Sequence, residues 1–207
     1  MKSVMLMLAL ASGVESAQGS DVAAVSGAWD FIAALDGKPI GTHRFNVEGP
    51  GDSQSVFSRA AFDVSILKIP VYRYRILDHE RWQGDCLRQL RSDTDDDGKP
   101  MHVDQEFKGE CVMSFAYWNP RLVNQTKLVN PQTGDIETVS FERLRDQTLT
   151  VRGQPQLAHG WLLQAPKQRI SIWYSAGTGR WIGLDAEVKG GRVLTYWPSP
   201  STSGSAP

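Results

Sequence analysis

The sequence contains only two cysteines, and it has neither an excess of one charge nor an apolar run long enough to cross a membrane. Two cysteines among 207 residues exclude a four-cysteine zinc ribbon. The 22 basic and 23 acidic residues nearly cancel, so no basic surplus indicates nucleic-acid binding. The N-terminal apolar run is far shorter than the about 20 residues that span a bilayer. These absences leave a globular chain of one domain, or of two small ones.

The apolar run predicts a secretory signal peptide. Residues 4–11 read VMLMLALA and follow a single basic residue, Lys2. Small residues at positions 17 and 19 fit a signal-peptide cleavage site, so we place cleavage after Gly19. A buried N-terminal helix is the alternative, but the small and polar residues that follow carry no helical stripe. The sequence therefore predicts a leader over 1–19 and an exported protein, periplasmic or secreted.

The rest of the chain reads as strands joined by turns. Apolar residues alternate from Trp29 to Leu35, and Asp36-Gly37 then predicts a turn. The same alternation recurs in four later segments, 41–47, 56–64, 72–77 and 101–107. A short apolar stretch between helix breakers, 110–118, is the one segment that we predict to be helical. The fold class is therefore mainly β, with a single antiparallel, strongly curled sheet, a half-barrel or barrel, and one short helix.

This reading divides the chain into four parts. The signal peptide is followed by a flexible N-terminal segment over 20–27, and the antiparallel β domain then occupies 28–197. Residues 198–207 are rich in Ser, Pro and Gly, contain no core-forming residue, and are predicted to be a disordered tail.

Cys86 and Cys111 flank an acidic turn and are the only thiols. A two-residue hairpin turn at Asp97-Gly98 would leave Cys111 two residues away from the position opposite Cys86, a gap that a bulge can close. An oxidising compartment favours a disulfide between them. The alternative is a reactive thiol, but the spacing is not the C-x-x-C of redox pairs.

The acidic turn resembles the first half of a calcium-binding loop. Asp93, Asp95 and Asp97 stand at the first, third and fifth positions, with Gly98 at the sixth, and Asp104 would be the twelfth. The twelfth ligand is shorter than the usual glutamate, and the flanking helices are missing. A solvated Asp/Gly hairpin turn is therefore the favoured interpretation, with calcium as the alternative.

Of the four histidines, His43 is the best candidate for chemistry. It shares a strand face with apolar neighbours and lies close in sequence to Asp36, so the two could form an acid–base pair. The favoured alternative is a core histidine bonded to the backbone, because no nucleophile or metal ligand accompanies it. No phosphate-binding loop, dinucleotide fingerprint or nucleophile elbow occurs, and we predict no cofactor.

The aromatic residues carry more information than the ionisable ones. They are spread over the predicted strands and are not interleaved with basic residues, as a nucleic-acid surface would require. Inside a curled sheet they either fill the core or line an apolar groove. The residues predicted to form core or groove walls are Trp29, Phe31, Phe45, Tyr72, Tyr74, Trp118, Trp173 and Trp181.

Four segments carry a resemblance to a known family. They read WDF at 29–31, LDGKPIGTHRF at 35–45, CVMSFAYWNP at 111–120 and IWYS at 172–175. On these segments the mature chain resembles a family of exported bacterial proteins, domain of unknown function 6134. More faintly it resembles an envelope family with a half-barrel fold, domain of unknown function 3108. The resemblance implies an envelope location and a curled antiparallel sheet, and it implies no catalytic residue.

The leading functional hypothesis is a periplasmic binding module that holds a lipid or another hydrophobic small molecule. The first alternative is an enzyme that acts on an envelope lipid or glycan through His43 and Asp36. The second is a structural or assembly protein of the envelope that contacts a protein partner. We expect neither nucleic-acid binding nor a membrane span.

Overall fold

The structure, a computed structural model, describes residues 25–200, and strands account for most of this part of the chain. The strands are β1 (Gly27–Leu35), β2 (Lys38–Glu48), β3 (Gln54–Ile66), β4 (Ile69–Gln83), β5 (Cys86–Asp96), β6 (Lys99–Glu106), β7 (Met113–Ser114), β8 (Lys127–Val129), β9 (Ile136–Thr138), β10 (Ser140–Arg143), β11 (Gln147–Val151), β12 (Gln154–Ala165), β13 (Gln168–Ser175), β14 (Trp181–Val188) and β15 (Arg192–Pro198). The predicted leader over 1–19 lies outside the described residues, as do residues 20–24 and 201–207.

Twelve strands form one antiparallel sheet. Its order is β10-β12-β13-β14-β15-β1-β2-β3-β4-β5-β6, and β11 also pairs with β12. The first and last strands of the domain, β1 and β15, pair in the middle of the sheet, while β6 and β10 lie at its two ends. No ladder joins these two ends within residues 25–200. The sheet is therefore open, and the predicted mainly β, half-barrel fold is confirmed.

Alternation of side chains gives the sheet a buried inner face. In β1 the inward residues Trp29, Phe31 and Ala33 are almost fully buried, as are Val56 and Ala60 in β3. Because successive strand residues point to opposite faces, a single period-two pattern in the sequence is enough to define each inner face. These residues belong to one apolar cluster that extends across both halves of the sheet.

The interior of the curled sheet is occupied by the chain itself. The inner segment, residues 112–129, includes strands β7 and β8, which pair in parallel beside β9. Within it the rings of Tyr117 and Trp118 contact opposite halves of the sheet: Tyr117 lies 5.4 Å from Trp181 of β14, and Trp118 lies 5.4 Å from Trp82 of β4. The inner segment therefore bridges the two halves and completes the core.

The helix predicted at 110–118 is wrong in position and type. Residues 113–114 form β7, and the amides of Ala116 and Tyr117 bond carbonyls only two residues back. The helical segment of the described chain is a 3-10 helix, Pro120–Asn124. It begins where Asn119 accepts a hydrogen bond from the amide of Arg121, and Pro120 fits the first turn because it has no amide to satisfy. Every side chain in 112–118 is buried or half-buried. The segment therefore has no exposed polar face, which a surface helix would need.

The ends of the β domain extend slightly beyond the predicted boundaries. The first strand begins at Gly27, and Val25 packs against the core. At the other end β15 continues to Pro198, and the amide of Ser199 donates to the carbonyl of Asp30. The start of the predicted tail is thus held against β1. Within residues 25–200, no helix has the length and apolar character needed to traverse a bilayer.

Candidate functional site

The disulfide predicted between Cys86 and Cys111 is present, with 4.6 Å between the two α-carbons. The hairpin turn lies at Asp97-Gly98, and both residues adopt positive φ, as a type I′ turn requires. The ladder of β5 and β6 ends near Phe107, the chain then bulges away, and the amide of Leu87 bonds the carbonyl of Val112. The bulge supplies the extra residues that bring Cys111 to Cys86.

His43 belongs to a chain of polar side chains on the inner face. Its Nδ1 lies 3.1 Å from the hydroxyl of Tyr196, and its Nε2 lies 2.9 Å from Oγ of Ser58. Ser58 also lies opposite Asp78, its register partner on β4, and its hydroxyl opposes the rise in the pKa of that carboxyl. If Ser58 donates to Asp78, then His43 carries its proton on Nε2 and accepts from Tyr196. Burial lowers the pKa of His43 to about 3, so the ring is neutral at pH 7.

This polar chain differs from a catalytic triad in its connections. Ser58 and His43 have the spacing of a nucleophile and its base, but in a triad a carboxylate orients the second ring nitrogen. Here that nitrogen contacts Tyr196, and Asp78 contacts the serine. Ser58 is also buried, with 5% of its surface exposed. These polar side chains come from β15, β2, β3 and β4, and their mutual interactions link the four strands.

The structure does not pair His43 with Asp36. Asp36 lies in the exposed turn after β1, where it accepts hydrogen bonds from the guanidinium of Arg192 and the amide of Val193, at 2.7 and 2.9 Å. Those two bonds lower the pKa of Asp36. Its contacts therefore fix the β1–β2 turn against β15. The carboxyl that connects to His43 is Asp78, which proximity in sequence could not reveal because it depends on strand register.

Two carboxyls lie on the inner face of β4: Asp78, which is half-buried, and Glu80, which is buried. Burial is the main cause that raises the pKa of Glu80 to about 7, while hydrogen bonds from Ser114 and Trp82 oppose the shift. The indole nitrogen of Trp82 donates to Glu80 over 2.9 Å. Burial, together with the charge of Glu80, also holds the pKa of Asp78 well above its ordinary value.

Replacing Glu80 by glutamine is expected to change how stability depends on pH. Between pH 4.5, the ordinary pKa, and about 7, native Glu80 keeps a proton that the unfolded chain loses, so wild-type stability falls as pH rises. Glu80→Gln removes this loss. Its unfolding free energy relative to wild type should therefore rise through this window, by at most about 1.4 kcal/mol per pH unit. Urea unfolding from pH 4.5 to 7.5 measures the difference, with exposed Glu110→Gln as the control. Parallel wild-type and Glu80→Gln profiles would contradict the assignment.

Each of the four aspartates of the calcium-like pattern contacts other groups of the protein. Asp93 contacts His102 at 2.7 Å, and Asp104 contacts Arg91 at 3.2 Å. Asp95 accepts from Arg73 and from the amide that closes its own turn, and Asp97 accepts from the Arg73 amide. Within residues 25–200 no group of three acidic, histidine or cysteine side chains could hold a metal ion.

The predicted aromatic wall residues have two environments. Those that are buried in the main apolar core are Trp29, Phe31, Phe45, Trp118 and Trp181, while Trp173 is buried in a separate, smaller cluster with Val151, Ala158 and Ile182. Tyr74 is half-buried, while Tyr72 is exposed and donates to Asp96 over 2.7 Å. Rings of the main core contact one another: the ring centroid of Trp181, for example, lies 4.3 Å from that of Phe31. A ligand role for these residues stays a prediction.

A shallow groove of about 780 Å³ crosses the outer face of β1 to β5. Two exposed apolar side chains, Phe57 and Leu77, form its apolar part, and three arginines, Arg44, Arg59 and Arg91, line it. The register explains the arrangement, because Arg44 lies opposite Arg59 across β2 and β3, and Arg59 lies opposite Leu77 across β3 and β4. Three aspartates also line it, so the groove combines an apolar surface with charged groups of both signs.

The three arginines differ in whether an acidic side chain pairs with them. Arg44 pairs with Asp30 and Arg91 pairs with Asp104, both at 3.2 Å, whereas Arg59 has no acidic side chain within ion-pair distance among residues 25–200. An unpaired guanidinium beside an apolar surface is suited to an anionic group, because it offers donors in a planar fork.

The imidazole ring of His79 lines the groove beside Phe57. Its ring stacks on Phe57, with 4.2 Å between centroids, and its Nε2 has no hydrogen-bond partner within the described part of the chain. Burial, together with the charges of Arg81 and Arg91, lowers the pKa of His79, which leaves the ring neutral near pH 7. Because this nitrogen is itself buried, it is not open to a molecule that lies in the groove.

The sequence reasoning missed this groove because it followed the inward positions of each strand. A signal was nevertheless present: Phe57 and Leu77 are apolar at outward positions, where the alternation calls for polar residues. The sequence cannot show that these two residues, on β3 and β4, share one groove with arginines from three strands. That proximity follows from the register of the sheet.

Comparison with solved structures supports the fold. The crystal structure of a beta-barrel-like protein of domain of unknown function DUF1849 from Brucella abortus superposes with a TM-score of 0.62. The similarity covers 86% of this chain and 97% of that chain at 10% sequence identity, so it concerns the fold alone. No curated protein shows significant similarity to the chain.

A family model matches the chain over almost the entire β domain. The match runs from residue 31 to residue 199 and includes the polar chain, the inner segment and most of the outer groove. The resemblance identified from the sequence is therefore confirmed, while the fainter one to domain of unknown function 3108 stays a prediction. The chain belongs to the family described as Domain of unknown function (DUF6134).

Proposed function

We propose that this protein is an exported binding protein whose outer groove holds a hydrophobic molecule with an anionic head group, as in an acidic lipid. The observation that carries the proposal is the position of Arg59, an exposed cation without an acidic partner among the described residues, next to exposed Phe57 and Leu77. An acyl chain would cover the two apolar side chains, and the head group would contact the guanidinium.

The export component rests on two features. The disulfide between Cys86 and Cys111 favours an oxidising compartment, and the N-terminal apolar run reads as a leader. The sequence alone favoured a hydrophobic ligand bound among the inward aromatic residues, and the present proposal keeps the ligand class but changes its location. The packed inner segment occupies that interior, so we place the ligand on the opposite face of the sheet.

Reversing the charge at Arg59 is expected to weaken binding of an anionic amphiphile. The probe is lysophosphatidylglycerol below its critical micelle concentration, titrated calorimetrically into the protein. Arg59→Glu replaces an attraction by a repulsion, and at surface dielectric values this corresponds to about tenfold or more in Kd. Because Arg59 is exposed, the variant should keep the wild-type unfolding midpoint.

Two controls distinguish the groove from general electrostatics. Arg145→Glu makes the same charge change at an exposed residue between β10 and β11, at the opposite end of the sheet, and should bind as wild type does. Zwitterionic lysophosphatidylcholine should bind Arg59→Glu and wild type alike. Equal weakening by the two arginine variants, or absence of binding by the wild-type protein, would contradict the proposal.

A further inference from the structure

The hairpin between β3 and β4 projects beyond the rest of the sheet. These strands remain paired as far as Ile66 and Ile69, but β2 pairs with β3 only to Phe62, and β5 pairs with β4 only from Tyr74. The tip hairpin, residues 64–72, therefore has no strand beside it on either edge. A two-stranded ribbon without neighbouring strands is only marginally stable in water, so its presence suggests a role.

The end of the tip hairpin is apolar and exposed. The exposed fractions are 58% for Ile66, 90% for Leu67, 65% for Ile69 and 47% for Val71. Ile66 and Ile69 are register partners and therefore share one face of the ribbon, while Leu67 is exposed at its apex. The apolar surface thus continues from one face over the end of the ribbon, and a membrane that receives the ribbon end-on would cover both parts.

The turn residues contradict the local preference of the backbone. Leu67 and Lys68 have φ of 51° and 67°, the left-handed region that a type I′ turn requires and that Asn-Gly adopts at lowest cost. A leucine there exposes an apolar side chain and strains the backbone at the same position. Departures from local preference of this kind are expected at functional sites.

The charges around the tip hairpin favour an anionic surface. Lys68 is the cation at its apex, beside Leu67, where its stem can lie along apolar surface while its ammonium contacts head groups. Acidic residues flank the base of the ribbon. Asp63 is neutralised by Arg75 and Asp95 by Arg73, at 2.8 and 2.6 Å.

Two further acids at the base are separated from the apex by extended chain. The hydroxyl of Tyr72 donates to Asp96, and the amide of Arg73 donates to Asp97. Tyr72 lies opposite Val64, three positions before Leu67, so about 10 Å of extended chain separates it from the apex. This exceeds the Debye length of about 8 Å at physiological ionic strength, so these acids are screened from a surface that contacts the apex.

We propose that the tip hairpin docks this protein onto a membrane surface that contains anionic phospholipid. Ile66, Leu67 and Ile69 enter the interface to a depth of about 5–10 Å, and Lys68 contacts the head groups. Pro70 supports shallow insertion, because it has no amide donor to leave unpaired in an apolar medium. This docking is separate from the proposed groove, since Arg59 lies eight residues from Leu67 along β3 and its turn.

The test is co-sedimentation of the full chain with phosphatidylglycerol/phosphatidylcholine vesicles and with vesicles of phosphatidylcholine alone. Every variant carries the same termini, so any contribution from the leader is constant. The decisive variant is Leu67→Asn with Lys68→Gly, which removes the apolar side chain and the charge but installs the preferred turn. It should keep or raise the urea midpoint, while its affinity for anionic vesicles falls by about tenfold or more.

Two control variants test whether a loss of vesicle binding is specific to the tip hairpin. Leu157→Asn removes an exposed leucine from β12, far along the sheet, and should keep wild-type affinity, as should the groove variant Arg59→Glu. Wild-type binding should be weaker to phosphatidylcholine alone. The proposal is overturned if wild type does not bind anionic vesicles, which would leave a protein as the occupant. It is also overturned if the Leu67/Lys68 variant binds as wild type does. Loss of binding by Leu157→Asn would show a nonspecific apolar effect and overturn it equally.

Discussion

Replacing Trp118 by alanine is expected to lower the free energy of unfolding by about 3–5 kcal/mol, the range for a large aromatic residue removed from a core. Trp118 is 1% exposed and packs edge-on against Trp82, with 82° between the ring planes. The alanine variant would leave a cavity between the inner segment and β4. Urea denaturation followed by circular dichroism measures the loss.

The control for Trp118 is a tryptophan with a different environment. Trp197 is half-buried on β15, so Trp197→Ala removes the same side chain while losing less buried area. A clearly smaller loss is expected there. Equal losses in the two variants would mean that the inner segment is not tightly packed, which would reopen the interior as a space for a ligand.

Removing the disulfide is expected to cost roughly 3 kcal/mol of stability. Cys86 and Cys111 are separated by 25 positions, and closing a loop of this length restricts the unfolded chain by about that amount. The bridge also holds the start of the inner segment next to β5, where the Leu87 amide bonds the Val112 carbonyl. The measurement is the urea unfolding free energy of a Cys86→Ala, Cys111→Ala double variant.

Reduction of the wild-type protein provides the matched comparison. A thiol reductant should lower the stability of the wild-type protein towards that of the double variant and leave the variant unchanged. An unaltered unfolding free energy in both would show that the bridge adds nothing to the folded state. It would also remove one of the two supports for export.

The sequence could predict the inner face of the sheet because that information is local. The alternation of Trp29, Phe31 and Ala33 defines a buried face with no knowledge of the partner strands. The Asp97-Gly98 turn is local in the same way, whereas the disulfide is predicted from the two thiols and the oxidising compartment. The helix at 110–118 failed because a short apolar stretch looks alike in a buried extended segment and in a helix.

The candidate site depends on distant pairings that no local pattern contains. Asp78 meets Ser58 and His43 only because β3 and β4 pair in one register, so the sequence suggested Asp36 instead. The groove likewise needs five strands in order before its arginines and apolar residues become neighbours.

By itself, the sequence determined a mainly β chain with one apolar face per strand, a disulfide-bonded cysteine pair and the family to which the chain belongs. Only the tertiary structure decided that residues 112–129 fill the interior and that a groove with an unpaired arginine lies on the outer face of the sheet. It also decided that one apolar hairpin projects beyond the neighbouring strands. The physical reason is that side-chain direction follows from backbone geometry within a strand, whereas neighbours across a sheet follow from register and curvature.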